Sequence, residues 1–263
     1  MTSRQTTLEP AGSASCQRVR VTLDNGAATT AYVSRHPLAT TALQVRRLPG
    51  LTPLAAWCAA HGVADALVGG FYLRGSDTSP GEPLAGSPLG ELRIDGAAHA
   101  FVPFAPPWGA IRACVSVARG QVRIARRDEL PVEPEGDLLQ AGPLLVRDGQ
   151  PVSGDEEGFS AGAAQFDSDI TVGRHPRAAL GCDGRHLLAL VCDGRAHDEA
   201  GMTLGELAET MAGLGAREAL NLDGGGSASL ICGGALRNTP REEQGMLVPG
   251  GRAVATALVF SPG

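Results

Sequence analysis

Polar and apolar residues alternate through Cys16–Leu23, again through Ala28–Arg35, and once more through Ala42–Leu48. A period of two marks half-buried strands, whose side chains point to opposite faces in turn. The three runs predict an opening meander. Residues 53–62 (PLAAWCAAHG) predict a short helix, with Pro53 suited to its first turn and Gly62 closing it. Residues 64–72 (ADALVGGFY) then predict a buried strand that breaks at Gly69-Gly70, where backbone must pass close to something.

Ser76 to Pro88 has the composition of a loop long enough to act as a lid. Short strands follow around LGELRI, RACVSVA and QVRIA, and LLQAGPLLVRDGQPV predicts a strand pair turning at Asp148-Gly149. Residues 153–169 are acidic, glycine-rich and without period, which predicts a flexible excursion. Beyond it, AALGCDGRHLLALVCDGR predicts two apolar strands joined at Asp183-Gly184. A longer helix is expected from Thr203 to Leu214, because Leu204, Leu207, Ala208, Met211 and Leu214 fall on one face. EALNLDGGGSASLICGG predicts strand, glycine loop, strand, and VATALVF a closing buried strand.

Many strands with tight turns and two helices predict an α+β fold: a single domain over 16–263, with a mixed, largely antiparallel sheet partly covered by a few helices. Residues 1–15 are polar and expected to be a disordered tail. With 263 residues and 43% hydrophobic content, one large domain with a sizeable core is feasible.

Charge narrows the partners. A net charge of -6 with no basic block argues against nucleic acid as a partner. All 22 basic residues are arginine, which removes Schiff-base and phosphate-loop-lysine chemistry. No apolar run reaches the roughly 18 residues of a membrane span, and the opening segment has no apolar leader, so a cytoplasmic protein with reduced thiols is expected. One pair, Cys182 and Cys192, lies on neighbouring predicted strands and is a candidate disulfide in an oxidising compartment. No His or Cys spacing suits a metal, and no cofactor is expected.

Candidate chemistry concentrates at Asn221–Ser227. A buried strand brings Asn221 and Asp223 to one face, and Gly224, Gly225 and Gly226 let the backbone turn with its amides unobstructed, as in an anion nest. The competing reading is a tight turn capped by its own aspartate. Glu206 is either a catalytic carboxylate or the fourth residue of the capping box Thr203-Leu204-Gly205-Glu206. Asp193 ends a buried strand as Asp223 does, or is a hairpin-turn residue. His175 reads as a surface or loop residue whose nearness to Arg177 leaves binding open. Gly158-Phe159-Ser160-Ala161-Gly162 has the spelling of a nucleophile elbow without the strand that motif requires.

From Ala64 to Phe260 the chain resembles the phosphodiester glycosidase family. The likeness is carried by Gly69-Gly70-Phe71-Tyr72, residues 141–152, Pro176–Gly181, Asp193-Gly194, Gly201–Ala208, and above all Asn221–Ala228, all in the family's order. It implies a hydrolase that cleaves the glycosidic bond of a sugar-1-phosphodiester, releasing free sugar and a phosphomonoester. On that implication Asp223 and Glu206 are the leading acid/base or nucleophile pair, with Asp193 third. Arg177 and Arg252 clamp the phosphate with help from the Gly224–Ser227 backbone, Asn221 binds sugar hydroxyls, and Gly70 and Tyr72 belong to the substrate-binding set. Val68 stands where the family usually has asparagine, which points to a changed substrate. The readings competing with this one are a hydrolase or transferase of a phosphorylated natural product or nucleoside phosphodiester, and a non-catalytic module that binds sugar phosphates.

Overall fold

The computed structural model describes residues 15–23, 25–74, 85–152 and 173–263. Strands dominate, and they form three sheets rather than one; every pairing between named strands is antiparallel. Numbered in chain order, the first sheet runs β1 (Cys16–Thr22), β2 (Ala28–Pro37), β13 (His186–Cys192), β12 (Arg177–Cys182), β14 (Glu218–Asn221), β10 (Leu144–Arg147) and β11 (Gln150–Pro151). The second runs β16 (Ala235–Leu236), β15 (Leu230–Cys232), β4 (Asp65–Val68), β17 (Ala253–Pro262) and β3 (Thr41–Pro53). The third runs β6 (Ala97–Ala98), β5 (Leu92–Ile94), β9 (Asp137–Gln140), β7 (Ala113–Ala118) and β8 (Gln121–Arg126).

One apolar cluster joins the three sheets, with Val45, Leu67 and Leu258 from the second, Leu92 and Val115 from the third, and Leu180, Leu187 and Leu220 from the first. Helix α1 (Leu54–His61) starts after Pro53 and stops at Gly62, whose φ of 64° lets the last carbonyls be met by a left-handed cap. Helix α2 (Trp108–Ile111) is a single turn. Helix α3 (Leu204–Gly213) buries Leu204, Leu207, Ala208 and Met211 against Leu145, Leu188, Leu190 and Ala219 of the first sheet. Each leucine so buried contributes about 1.5–3 kcal/mol. Leu214, also expected on that face, packs against the same cluster while half-buried.

Two expectations are corrected. The opening meander is split: β1 pairs with β2, but β3 leaves for the second sheet and pairs along β17. Alternation reports which face of a strand is buried and carries nothing about which strand lies beside it. The Cys182–Cys192 disulfide is ruled out by register, because Cys182 stands opposite Leu187 and Cys192 opposite Arg177, at opposite ends of one hairpin. At the usual strand rise that is roughly 16 Å, against a limit near 7 Å between bridged Cα atoms. Both cysteines are free, and burial raises both thiol pKa values.

The predicted tail up to residue 14, most of the 76–88 loop, the acidic excursion and the Gly158–Gly162 motif lie outside the described residues.

Candidate active site

Strand β14 runs between β12 and β10 and releases the chain at Asn221. The next two amides fasten the exit to the first and second sheets. Leu222 N donates to Ala178 O at 2.9 Å, and Asp223 N donates to Gly69 O at 3.1 Å. Asp223 is therefore held where the first sheet meets the end of β4. The Gly69-Gly70 break has the cause its composition suggested: a Cβ on Gly69 would stand 2.8 Å from the Thr256 carbonyl carbon, and Gly70 N donates to Thr256 Oγ1 at 3.0 Å. Val68, just before it, is fully buried, with its amide on Ser229 O at 3.0 Å.

The three glycines of the turn each answer a different neighbour. A Cβ on Gly224 would lie 2.8 Å from Pro176 O. Gly225 has φ +60°, a left-handed conformation, and a Cβ there would lie 3.1 Å from Arg195 Nη1. On Gly226 it would lie 2.5 Å from Glu242 Oε1. Much of the expected anion nest is consequently spent inside the protein: Gly224 N donates to Asp223 Oδ1, Gly225 N to Pro176 O, and Ser227 N to Gly224 O. The glycines admit an arginine and a glutamate to the turn.

Electrostatics set the Asp223 carboxyl apart. Burial, opposed by Ser227, Arg252, its own Gly224 amide and Arg74, pushes its pKa up to about 6. Ser227 Oγ is buried beside both Asp223 and Tyr72, close enough to lower their pKa values, yet it meets hydrogen-bond geometry with neither. Tyr72 is buried, donates to Ala253 O at 2.8 Å, and has its pKa raised by burial and by the Asp223 charge. Glu242 is the opposite case. Burial alone would raise it, but a bidentate bond from Arg252 Nε and Nη2 outweighs that and leaves it below the ordinary carboxylate value. Arg195 lies over Gly225, has its pKa lowered by burial, and is drawn back by Glu243 and Glu242. Its Nη2 stands 3.4 Å from His175 Nδ1. The charge of Arg74 reaches Asp223, Glu242 and Arg195.

Asp223, Ser227, Tyr72, Arg252 and the glycine turn are thus brought together, with Gly70 one residue past the Gly69 contact. Other expected residues are engaged elsewhere. Glu206 closes the capping box of α3, with Thr203 N donating to Oε2 at 2.9 Å, and takes Arg174 Nε on both oxygens at 3.0 Å. Burial opposes, but Arg174 prevails and lowers its pKa. Arg177 is 2% exposed, donates from Nε to Met202 O and from Nη2 to Gly173 O at 2.9 Å each, and burial lowers its pKa to about 10. Asp193 forms no hairpin turn: it is buried, accepts from Thr239 N at 2.7 Å, faces Tyr32, and has its pKa raised by burial. Asn221 is buried beside Gly142, with Oδ1 left without a hydrogen bond.

Glu242, Arg195 and Arg74 were not legible. Arg195 follows a Asp-Gly pair and adopts φ 58°, so it reads as a turn residue. Glu242 sits in aperiodic Thr239–Gly251, where only the run Arg241-Glu242-Glu243 stands out. Among the described residues, no three His, Cys, Asp or Glu side chains are grouped to hold a metal, and no helix is long and apolar enough to cross a membrane.

The phosphodiester glycosidase family model matches residues 62–261. No curated protein matches. Among solved structures, the catalytic domain of zebrafish N-acetylglucosamine-1-phosphodiester α-N-acetylglucosaminidase, auto-inhibited by its pro-peptide, superimposes with a TM-score of 0.67 at 20% identity, over 97% of this chain and 84% of that one. A Burkholderia pseudomallei protein described as a putative exported protein gives 0.63 at 17% identity, over 90% and 74%. A hypothetical protein from Synechocystis gives 0.60 at 19%, over 94% and 62%. These likenesses establish a shared fold, and the match across residues 62–261 establishes the family: the chain belongs to the phosphodiester glycosidases.

Proposed function

We propose that this chain hydrolyses the glycosidic bond of a sugar-1-phosphodiester, releasing free sugar and a phosphomonoester. Family membership supports the reaction class, and the name of the zebrafish structure supports an N-acetylated hexose as the first sugar to try. The observation that carries the reading is the divergence of two neighbouring carboxyls, Asp223 raised to about 6 and Glu242 lowered. Environments that push two carboxyl pKa values apart assign one group to proton transfer and the other to charge stabilisation.

On this reading Asp223, half-buried and poised near neutrality, takes the proton of the attacking water. Glu242 stays ionised in the grip of Arg252 and stabilises the positive charge that develops on the anomeric carbon. Arg195 and Arg74, whose charges already converge on this pair, meet the phosphodiester anion. The phosphate leaves as a stable anion, so protonation of the leaving oxygen is the lesser need. Asn221 Oδ1, buried and unbonded, is the acceptor for a sugar hydroxyl.

The test is turnover of a panel of sugar-1-phosphodiesters and nucleoside phosphodiesters in water enriched in heavy oxygen. Cleavage at the glycosidic bond puts the label on the sugar. Label in the phosphate would instead assign the chain to phosphodiester hydrolysis proper, and tight binding without release of either product would make it a binding module. Val68 is buried and apolar where the family usually has asparagine, which favours a substrate differing from the zebrafish enzyme's at the end nearest Gly69.

A further inference from the structure

The second sheet carries a cleft at the end away from the active site. Strand β4 opens at Asp65 and hands Gly69 to the Asp223 amide four residues later, roughly 13 Å along the strand. The cleft surrounds the Asp65 end, where helix α1 stands beside β3 and β17, and it shares no residue with the active site. Its volume of about 810 Å³ falls within the range of roughly 300–1,000 Å³ that small-molecule sites occupy. We infer that this cleft binds a phosphorylated sugar, with the sugar ring on Trp57 and the phosphate on Arg46 and Arg47. The inference does not rest on the proposed hydrolysis.

The aromatic platform is set before any ligand arrives. Trp57 and His61 lie one helical turn apart with their rings stacked, centroids 4.7 Å apart and planes 25° from parallel. His61 Nδ1 meets Trp57 O at 2.8 Å. A carbonyl only accepts, so Nδ1 carries the proton and Nε2 of the neutral ring is left as an acceptor. Trp57 also packs against the main core cluster, which holds the indole in place while it lines the cleft. Arg46 stands opposite Ala257 and Gln44 opposite Val259, so alternation puts Arg46, Gln44, Val259 and Ser261 on one face of the β3–β17 pair. Arg46 Nη2 donates to Gln44 Oε1 at 2.6 Å, and Arg47 Nη1 donates to Ala100 O at 3.1 Å. Both acceptors are neutral. Among the described residues no carboxylate pairs with either guanidinium, so two positive charges remain for an anion. Sugar hydroxyls need donors and acceptors together, and Gln44, Ser261 and His61 Nε2 supply both.

The chain has two tryptophans, so Trp108→Phe leaves Trp57 as the sole indole reporter. Glucose 6-phosphate, a monoester without the bond the active site would cleave, should change its fluorescence saturably with a Kd below about 1 mM. Glucose alone and inorganic phosphate alone should each bind about tenfold or more weakly, because each leaves part of the cleft unused. Replacing both arginines, Arg46→Gln with Arg47→Gln, should weaken glucose 6-phosphate by about tenfold or more at an unchanged unfolding midpoint. Calorimetry on the unaltered chain and on the double-arginine variant makes the same comparison whether or not Trp108→Phe folds. The proposal is overturned by no saturable binding up to about 10 mM, by equal affinity in the double-arginine variant, by inorganic phosphate binding as tightly as glucose 6-phosphate, or by adenosine monophosphate binding more tightly.

Discussion

Asp223 and Glu206 are the two acidic residues whose sequence surroundings most invited a catalytic role, and their settings in the fold are opposite. Glu206 is surrounded by donors: a helix cap amide and a guanidinium that together hold it ionised. Asp223 is short of donors. Its largest influence is loss of water, and its nearest guanidinium, Arg252, is bonded to Glu242 instead. A carboxylate whose partners satisfy it is a structural element, and one left partly unsatisfied near neutrality has proton affinity to use. The arginine–glutamate bond produces this difference, because it keeps Arg252 close to Asp223 without letting it neutralise Asp223.

The sharpest break of the contrast is Asp223→Asn, which should lower kcat by about 10³-fold while circular dichroism stays native. Its effect on stability has a definite sign. A carboxyl raised from 3.8 to about 6 by folding is stabilising in its protonated form below 3.8, and that advantage is lost as pH rises through 6. Asn should therefore unfold later than Asp at pH 8, by on the order of 3 kcal/mol, and the two should converge toward pH 3. As a base, Asp223 also predicts that kcat in the unaltered protein falls below about pH 6; a rate that rises there would reverse its role.

Glu242→Gln comes next. It leaves a partly buried guanidinium without its counter-charge, costing about 3 kcal/mol, and should lower kcat by about 10²-fold. Arg252, released, would pull harder on Asp223, so the acid limb of the rate profile should move below 6. An unmoved limb would mean that Arg252 does not shape Asp223. Gly226→Ala should cost about tenfold in kcat, since the three atoms nearest its Cβ all belong to the Glu242 carboxylate, which it must displace. Glu206→Gln should be the mildest for catalysis, within about twofold, while the cap and the Arg174 bond it weakens cost about 1 kcal/mol in urea unfolding. A large loss of kcat with native stability would return Glu206 to the chemistry.

The local elements were the legible part. Pro53 and Gly62 bracket α1, and Thr203 with Glu206 opens α3, because caps and helical faces depend on residues within four positions of each other. The turns at Asp148-Gly149 and Asp183-Gly184 were legible for the same reason. Sheet membership was not: β3 alternates just as β1 and β2 do and still pairs elsewhere. In the site, Asn221–Ser227 announced itself through three glycines, but the reason attached to them changed, since the groups they admit are Arg195 and Glu242. The Cys182–Cys192 pairing failed likewise, because adjacency of two strands leaves their register open, and the two cysteines stand at opposite ends of one hairpin.

By itself the chain determined α1 and α3 with their caps, the strand-rich α+β character, the all-arginine positive charge, and a glycine turn with an aspartate at its mouth, but not the single turn of α2. Those properties follow from interactions within a few residues or from composition. Tertiary structure alone decided which carboxyl stays satisfied and which does not, and that Arg252 is held by Glu242. The physical reason is that a pKa and a contact depend on what displaces water around a group, and here those neighbours arrive from strands and loops far apart in the chain.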